Sequence, residues 1–472
     1  MSEGYVYTYG DIIVSPYKFE RILKLKLVRE LNEHARLFIS GVINNENGDA
    51  YVEKADECSD ITVSVKDDEE KITDLFYGVV TNISINTSND VKVLEIEALS
   101  KTFLMDVRKA NGSYQDGNLT YEEIIKKINA GYGSAQMVDN LTYGAKINGL
   151  IVKYRETDWE FIKRLASHFN GALVPECQLS DIKYSLAGTR ENVSYNLNEY
   201  NYSIKKGLHE YKVKASNEDY DLDDINLISY EVTTNIIMNL YNQVGFNGKK
   251  LAVYSCEIEM IGGQLRNKYI LRDDKGMKVR KIYNDRIAGV SLQGRVLATQ
   301  NDDVKVSLEI DGSPTETEGA KWFKFATIFS SPDGTGWYCM PEKEDVVRLY
   351  FPDNEENNAY VINSLHYPYS TSNESLRSDP LVKSFSTKYG KEIIMRPGGI
   401  DVISGGSSMS LSDSGGIQVN SDNRISMSGS SISISGGDVS INGSGGVKLT
   451  QAGASITIND DVIMSGTKIN TQ

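Results

Sequence analysis

The sequence predicts a mainly β protein with a small α+β insertion and a C-terminal triple-stranded, intertwined β-helix shared by three copies of the chain. Three observations predict it. Alternating apolar residues fill residues 1–100 and resume after residue 200. Two stretches between them carry helix-start signals. The last 75 residues keep single aliphatic side chains on a two-residue beat.

In chain order, "RILKLKLVREL" at 21–31 and "VKVLEIEAL" at 91–99 alternate, while "NNENGD" at 44–49 and "SVKDDEEK" at 64–71 have turn or exposed-loop composition. Residues 1–100 therefore predict a β-barrel or sandwich. In "LTYEEIIKKINAGYG", Thr120 and Glu123 have the spacing of a capping box, which satisfies free N–H groups of a helix's first turn, and Gly131 marks a stop. In "ETDWEFIKRLASHFNG", Thr157 and Glu160 repeat the signal, with Trp159, Ile162, Leu165 and Phe169 along one side and Gly171 past the end. Trp159 and Phe169 read as core side chains. Together these place an α+β region at 101–199. Strands resume over 200–285, where "NYSIKKGLHEYKVKA" reads as a long alternating stretch. Residues 286–370 hold about five short strands with glycine turns, the pattern of an OB-type small barrel. Residues 371–398 read as a linker that contains the last proline, Pro397.

From Gly398 to Gln472, 31 of 75 residues are Gly or Ser and none is aromatic, a composition that by itself suggests a flexible linker. The spacing contradicts that reading. Aliphatic pairs two residues apart recur as Met409/Leu411, Ile417/Val419, Ile425/Met427, Ile432/Ile434, Val439/Ile441, Val447/Leu449 and Ile456/Ile458, then Val462/Met464, separated by turn-formers such as "SGG" at 435–437. Each short strand then has one apolar face that a lone ribbon leaves wet. Burying an aliphatic side chain yields roughly 1.5–3 kcal/mol, against about 1–2 kcal/mol of backbone entropy per ordered residue. With so few aliphatic residues a solitary chain loses that balance, whereas three copies around one axis bury every pair and bond the strands to one another. Residues 399–472 are accordingly expected to form a trimeric β-helix with those fourteen paired residues, Met409 to Ile458, as its core. Its blunt end, around Met464 and Ile469, would expose strand edges and favour a small capping protein.

Composition narrows the function classes. The formal charge is 50 minus 65, or -15, which disfavours nucleic acid and anionic membrane as stable partners. "PEKED" and "PDNEEN" also put acidic groups where an OB groove tracking phosphates needs Lys and Arg. Cys58, Cys177, Cys256 and Cys339 lie far apart, which fits buried reduced thiols better than a disulfide framework or a zinc site. The start "MSEGYVYTYGD" lacks signal-peptide regions, so assembly in the cytoplasm is expected, followed by delivery outside the cell by some other route. His34, His168, His209 and His366 are scattered without metal-ligand spacing and read as packed or surface residues. The runs "DDEE" at 67–70 and "DLDD" at 221–224 read as solvated loops rather than acid/base pairs. No nucleophile elbow, P-loop or dinucleotide fingerprint is present, so no catalytic, cofactor or metal residue is assigned and no enzymatic activity is expected.

The order of parts resembles the spike, or VgrG-type, proteins of contractile injection machines, which include type VI secretion spikes and the hub-and-needle proteins of contractile phage tails. The resembling stretches are "HARLFISGVI" at 34–43, "LFYGVVTNISI" at 75–85, "YRETDWEFIKRLASHFNGALV" at 154–174, "LQGRVLA" at 292–298 and "GWYCMPEKEDVVRLYF" at 336–351, followed by the alternating tail. One departure is Glu344, three residues after Pro341, where such proteins often have glycine. The resemblance implies tandem tube-like barrels at 1–100 and 200–285 with the α+β region inserted between them. It also implies an OB collar at 286–370 and a needle at 399–472. Three copies would then set six barrels against a sixfold inner tube. Implied partners are two further copies of the chain, inner tube and baseplate proteins, a PAAR-like tip protein or effector at the C-terminal end and, transiently, the target membrane. Two other classes compete with this reading. A wall hydrolase or polysaccharide-cleaving tailspike needs paired carboxylates in an aromatic-lined groove, which the tail lacks. A trimeric receptor-binding fibre or adhesin leaves the capped helices and paired barrels unexplained.

Overall fold

The computed structural model describes residues 4–44, 48–188, 194–217, 222–366, 379–458, 461–465 and 467–468. With 46% of residues in strands and 13% in helices, the class is mainly β. The chain divides into two compact units, Met1–Tyr367 and Pro368–Gln472.

The first unit is organised around a twelve-stranded sheet. Six of its strands come from the first hundred residues: Ile12–Ser15, Arg21–Glu30, Arg36–Ile43, Asp60–Lys66, Ile72–Ser88 and Val91–Ser100. The other six lie between residues 194 and 272. The expected pair of closed barrels is not formed among the described residues. Strand Arg21–Glu30 instead pairs antiparallel with Lys249–Ile261, Lys26 opposite Glu259 and Glu30 opposite Ser255. Backbone groups that would have closed each half on itself are used to join the halves. Lys26 and Glu257 form an ion pair at 3.0 Å across this seam, while Leu25, Leu27, Cys256 and Ile258 are at most 1% exposed beneath it.

Alternation misread one segment. Residues 201–215 form strand Tyr202–Lys206 followed by helix Leu208–Asn217. Six alternating residues after a glycine cannot separate strand from helix, and long-range partners decide: Arg272 makes two 3.0 Å hydrogen bonds to Glu210, and Lys214 Nζ donates to the Lys278 carbonyl at 2.7 Å. The expected turn at 44–49 includes residues 45–47, outside the described residues, and runs into helix Gly48–Glu53.

The insertion carries both capped helices. In Tyr121–Asn129 and Asp158–Ser167 the Thr120 and Thr157 hydroxyls accept from the Glu123 and Glu160 amides, and each glutamate accepts in return from its threonine's backbone. The second helix ends through Asn170 at φ 54°, followed by Gly171, where a Cβ would sit 2.2 Å from Leu141. Trp159 is 1% exposed and packs as core, its indole N–H donating to the Asn32 carbonyl at 3.3 Å and so tying the helix to the large sheet.

The insertion also docks on a five-stranded sheet whose order is Trp322–Lys324, Asp303–Leu308, Ser291–Gln300, Val346–Tyr350, Tyr360–Leu365. Its two edges meet at a single parallel bridge, Phe325 with Val361. The turn before Val346 places Glu344 itself at φ 74°, a left-handed conformation that costs a non-glycine residue about 1–2 kcal/mol. The docking contact is a buried charge cluster. Arg164, 1% exposed, bonds both Glu156 oxygens at 2.8 and 2.9 Å, Glu356 at 2.8 Å and the Val152 carbonyl at 2.8 Å. Glu356 is 192 residues further along the chain, so one guanidinium clamps the insertion to the five-stranded sheet.

His168 lies next to this cluster, its Nδ1 3.0 Å from the Tyr121 hydroxyl. Burial, reinforced by the Arg164 and Lys281 cations, pushes its pKa down from 6.5 to about 3. The folded state holds the neutral ring, so this contribution to stability is complete above the unfolded value and is lost as pH falls from 6.5 toward 3. The expected slope is about 1.4 kcal/mol per pH unit from this one proton. Thermal midpoints measured across that window should fall more steeply for the parent than for His168→Gln, which has no proton to gain.

Two of the four cysteines depart from expectation. Cys177 and Cys256 are buried, but Cys58 and Cys339 are exposed; all four are free thiols. Among the described residues no helix is long and apolar enough to cross a membrane, and no cluster of three or more His, Cys, Asp or Glu could hold a metal.

Candidate assembly surface

The second unit begins earlier than the composition shift suggests. Residues 383–396, read above as linker, form strands Lys383–Thr387 and Lys391–Arg396, the first two of a five-stranded antiparallel meander continued by Gly399–Ser404, Ser407–Ser412 and Gly416–Ser421. The missed signal is an alternation, Phe385 then Ile393/Met395, hidden by the charged residues around it. Tight turns join the strands. Ser404 faces Ser407, leaving only Gly405 and Gly406 between them, with Gly405 at φ 60°.

Strand register stacks the aliphatic pairs into two ladders. Phe385, Ile393, Val402, Met409 and Val419 are successive cross-strand partners, as are Met395, Ile400, Leu411 and Ile417. The two ladders are two residues apart along each strand and therefore share one face. The opposite face carries Asp401, Ser410 and Gln418 in register, with Arg396 and Ser410 both bonded to Asp401. A second, three-stranded meander repeats the arrangement: Val447, Ile458 and Val462 form one ladder and Leu449, Ile456 and Met464 the other.

Every ladder residue from Ile400 to Val419 is at least 36% exposed, and Ile417 reaches 68%. Nothing among the described residues covers this face. An exposed sheet face carrying this many apolar side chains normally marks a contact surface. The meanders also revise one expectation: over 383–421, 447–458 and 462–465 the strands bond to neighbours within the chain, while the apolar face has no partner among the described residues. Between the meanders, Ile425, Met427, Ile432, Ile434, Val439 and Ile441 lie outside any strand and are 53–69% exposed. These three pairs have neither backbone nor side-chain partners of the kind the ladders show. Of the two residues expected at the tip, Met464 is 56% exposed, and Ile469 lies outside the described residues.

The fold was compared with solved structures. It matches the VgrG-containing complex of Francisella PdpA-VgrG in its half-lidded form with a TM-score of 0.57 over 87% of each chain at 11% identity. The chain has the fold of a VgrG-type spike protein. The lidless form of that complex gives a TM-score of 0.55 at 10% identity, covering 84% of this chain and 93% of the other. An E. coli component of the type VI secretion system, described as structurally similar to the T4 phage tail proteins gp27 and gp5, gives 0.54 at 13% identity and is covered over 99% of its own length and 75% of this chain. At these identities the spike likeness is one of fold. The Alg8 N-terminal domain model matches residues 59–187, well under half of the spike-fold chain, from the first half of the large sheet into the insertion. No curated protein matches the sequence.

Proposed function

We propose that the protein is the central trimeric spike of a contractile injection machine, adapting threefold symmetry to a sixfold inner tube and piercing the target envelope when the sheath contracts. The observation that carries this reading is the pair of exposed aliphatic ladders at the end of a chain with the spike fold. Three copies of a one-sided apolar face can turn inward around a common axis, which removes the ladders from water and leaves the serine-rich face outside. The unpaired segment 422–446 then winds with its counterparts, so its pairs Ile425/Met427, Ile432/Ile434 and Val439/Ile441 join the same core.

In this reading the two halves of the twelve-stranded sheet, residues 1–100 and 200–285, are the hub domains. Three copies present six such halves to a ring of tube protein. The five-stranded sheet at 286–370 is an OB-type collar, and residues 399–472, extended back to Lys383, are the needle. The function is mechanical, and its working property is stiffness: strands bonded along their whole length, with their apolar faces locked together, offer no hinge. Tube and baseplate proteins bind the hub end, and a PAAR-like tip protein or effector caps the needle end near Met464. The protein is made in the cytoplasm and built into a tail-like particle, and it performs no catalysis of its own.

Mixing the purified protein with the tube protein of its own machine tests this directly. Electron microscopy should show one spike capping an end of each tube, needle outward. Binding to target cells by the C-terminal end with no affinity for tube protein would instead identify a receptor-binding fibre.

A further inference from the structure

Arg29 is part of strand Arg21–Glu30 at the seam of the large sheet and is 4% exposed. Its Nη1 donates to Asn239 Oδ1 at 2.8 Å, and Nη2 donates to the Met238 carbonyl at 3.0 Å with Cys256 Sγ at 3.5 Å. Its Nε has no partner. An amide, a carbonyl and the Cys256 and Cys177 sulfurs are thus its partners among the described residues, with no carboxylate. Burial pushes the neighbouring Cys177 thiol up to about 12 and raises the Tyr269 phenol well above 10, so neither supplies a negative charge near neutral pH. A guanidinium kept from water without a counter-charge is strongly unfavourable. The buried arginine of the insertion, Arg164, has two carboxylates; Arg29 has none.

A cavity of about 260 Å³ adjoins it, between the large sheet and a three-stranded sheet of the insertion formed by Leu173–Glu176, Lys183–Leu186 and Gln136–Asp139. Arg29, Asn239 and Lys183 supply its cationic and polar lining, and Val138, Val174 and Leu240 its apolar walls. Glu176 also lines it; its Oε1 accepts from the Gln178 amide at 2.8 Å, and Lys183 is its cross-strand neighbour. At about 30 Å³ per water the volume corresponds to roughly eight or nine non-hydrogen atoms.

We propose that this cavity binds a small apolar monocarboxylate, whose carboxylate supplies the counter-charge for Arg29 and whose hydrocarbon part lies against Val138, Val174 and Leu240. Neither the piercing role nor the trimer requires such a ligand, so the site stands apart from both.

Titration of the full-length protein with hexanoate, hexanamide and hexylamine, followed by calorimetry, tests the assignment. Hexanoate should bind at least about tenfold more tightly than its uncharged amide, the size expected of a charge-assisted hydrogen bond, and hexylamine should not bind. Arg29→Met should remove the preference for hexanoate. Leu179→Trp, which fills the lining while leaving Arg29 in place, should weaken hexanoate by a similar factor, so the test survives if Arg29→Met does not fold. Equal binding of acid and amide, undiminished hexanoate binding in Arg29→Met, or no hexanoate binding by the parent protein overturns the proposal. So does a thiolate absorbance in the parent that disappears in Cys256→Ser, because the counter-charge would then be internal.

Discussion

Arg164→Ala is expected to lower the stability of the first unit by roughly 3–5 kcal/mol, the usual result of removing one member of a buried charge cluster. The substitution leaves the Glu156 and Glu356 carboxylates, both under 9% exposed, without an ion-pair partner among the described residues. It also frees the Val152 carbonyl that Arg164 Nη2 holds. Arg164→Lys should recover little, since an ammonium cannot reproduce the fork that spans Glu156 and still reaches Glu356. Combining Arg164→Met with Glu156→Gln and Glu356→Gln should recover much of the loss by removing every stranded charge. Denaturant unfolding of the four proteins measures the effect. A loss below about 1 kcal/mol for Arg164→Ala would place the cluster among the weak surface pairs.

Introducing Val402→Asp and Met409→Asp together should abolish assembly while leaving the first unit folded. These residues are direct cross-strand partners at the centre of one ladder. Each copy would lose about 1.5–3 kcal/mol of burial per side chain, and six carboxylates would crowd around one axis. The control is Asn420→Asp. Asn420 pairs with Ser408 on the opposite face, so a carboxylate there should leave assembly intact. Sedimentation of the two variants at equal concentration checks this, with far-ultraviolet circular dichroism reporting whether the fold persists.

What could be read from the sequence follows how local each interaction is. Both capping boxes appear where Thr120/Glu123 and Thr157/Glu160 predicted them, because the four residues concerned complete the motif among themselves. The aliphatic ladders follow from period-two spacing and turn glycines for the same reason. Helix Leu208–Asn217 was missed because its anchors, Arg272 and the Lys278 carbonyl, lie more than 60 residues away. The joined halves of the large sheet were equally hidden, since pairing Lys26 with Glu259 depends on which edges meet in space. Arg29 shares the two-residue spacing of Leu25, Leu27 and Leu31, which places it on the buried face, but only the fold shows that no carboxylate meets it there.

Residues 383–396 show a different limit. Composition set the needle boundary at the first Gly-rich residue, but the backbone register that builds the ladder starts two strands earlier, under Lys, Glu and Arg. A boundary drawn on alternation alone would have included Phe385, Ile393 and Met395. The charged first strands carry the same apolar stripe as the serine-rich ones that follow.

If the exposed ladders meet two sister copies, analytical ultracentrifugation of the full-length protein at micromolar concentration should show one species near three times 52.5 kDa, persisting on dilution. A stable, folded particle of 52.5 kDa at the same concentration would contradict it.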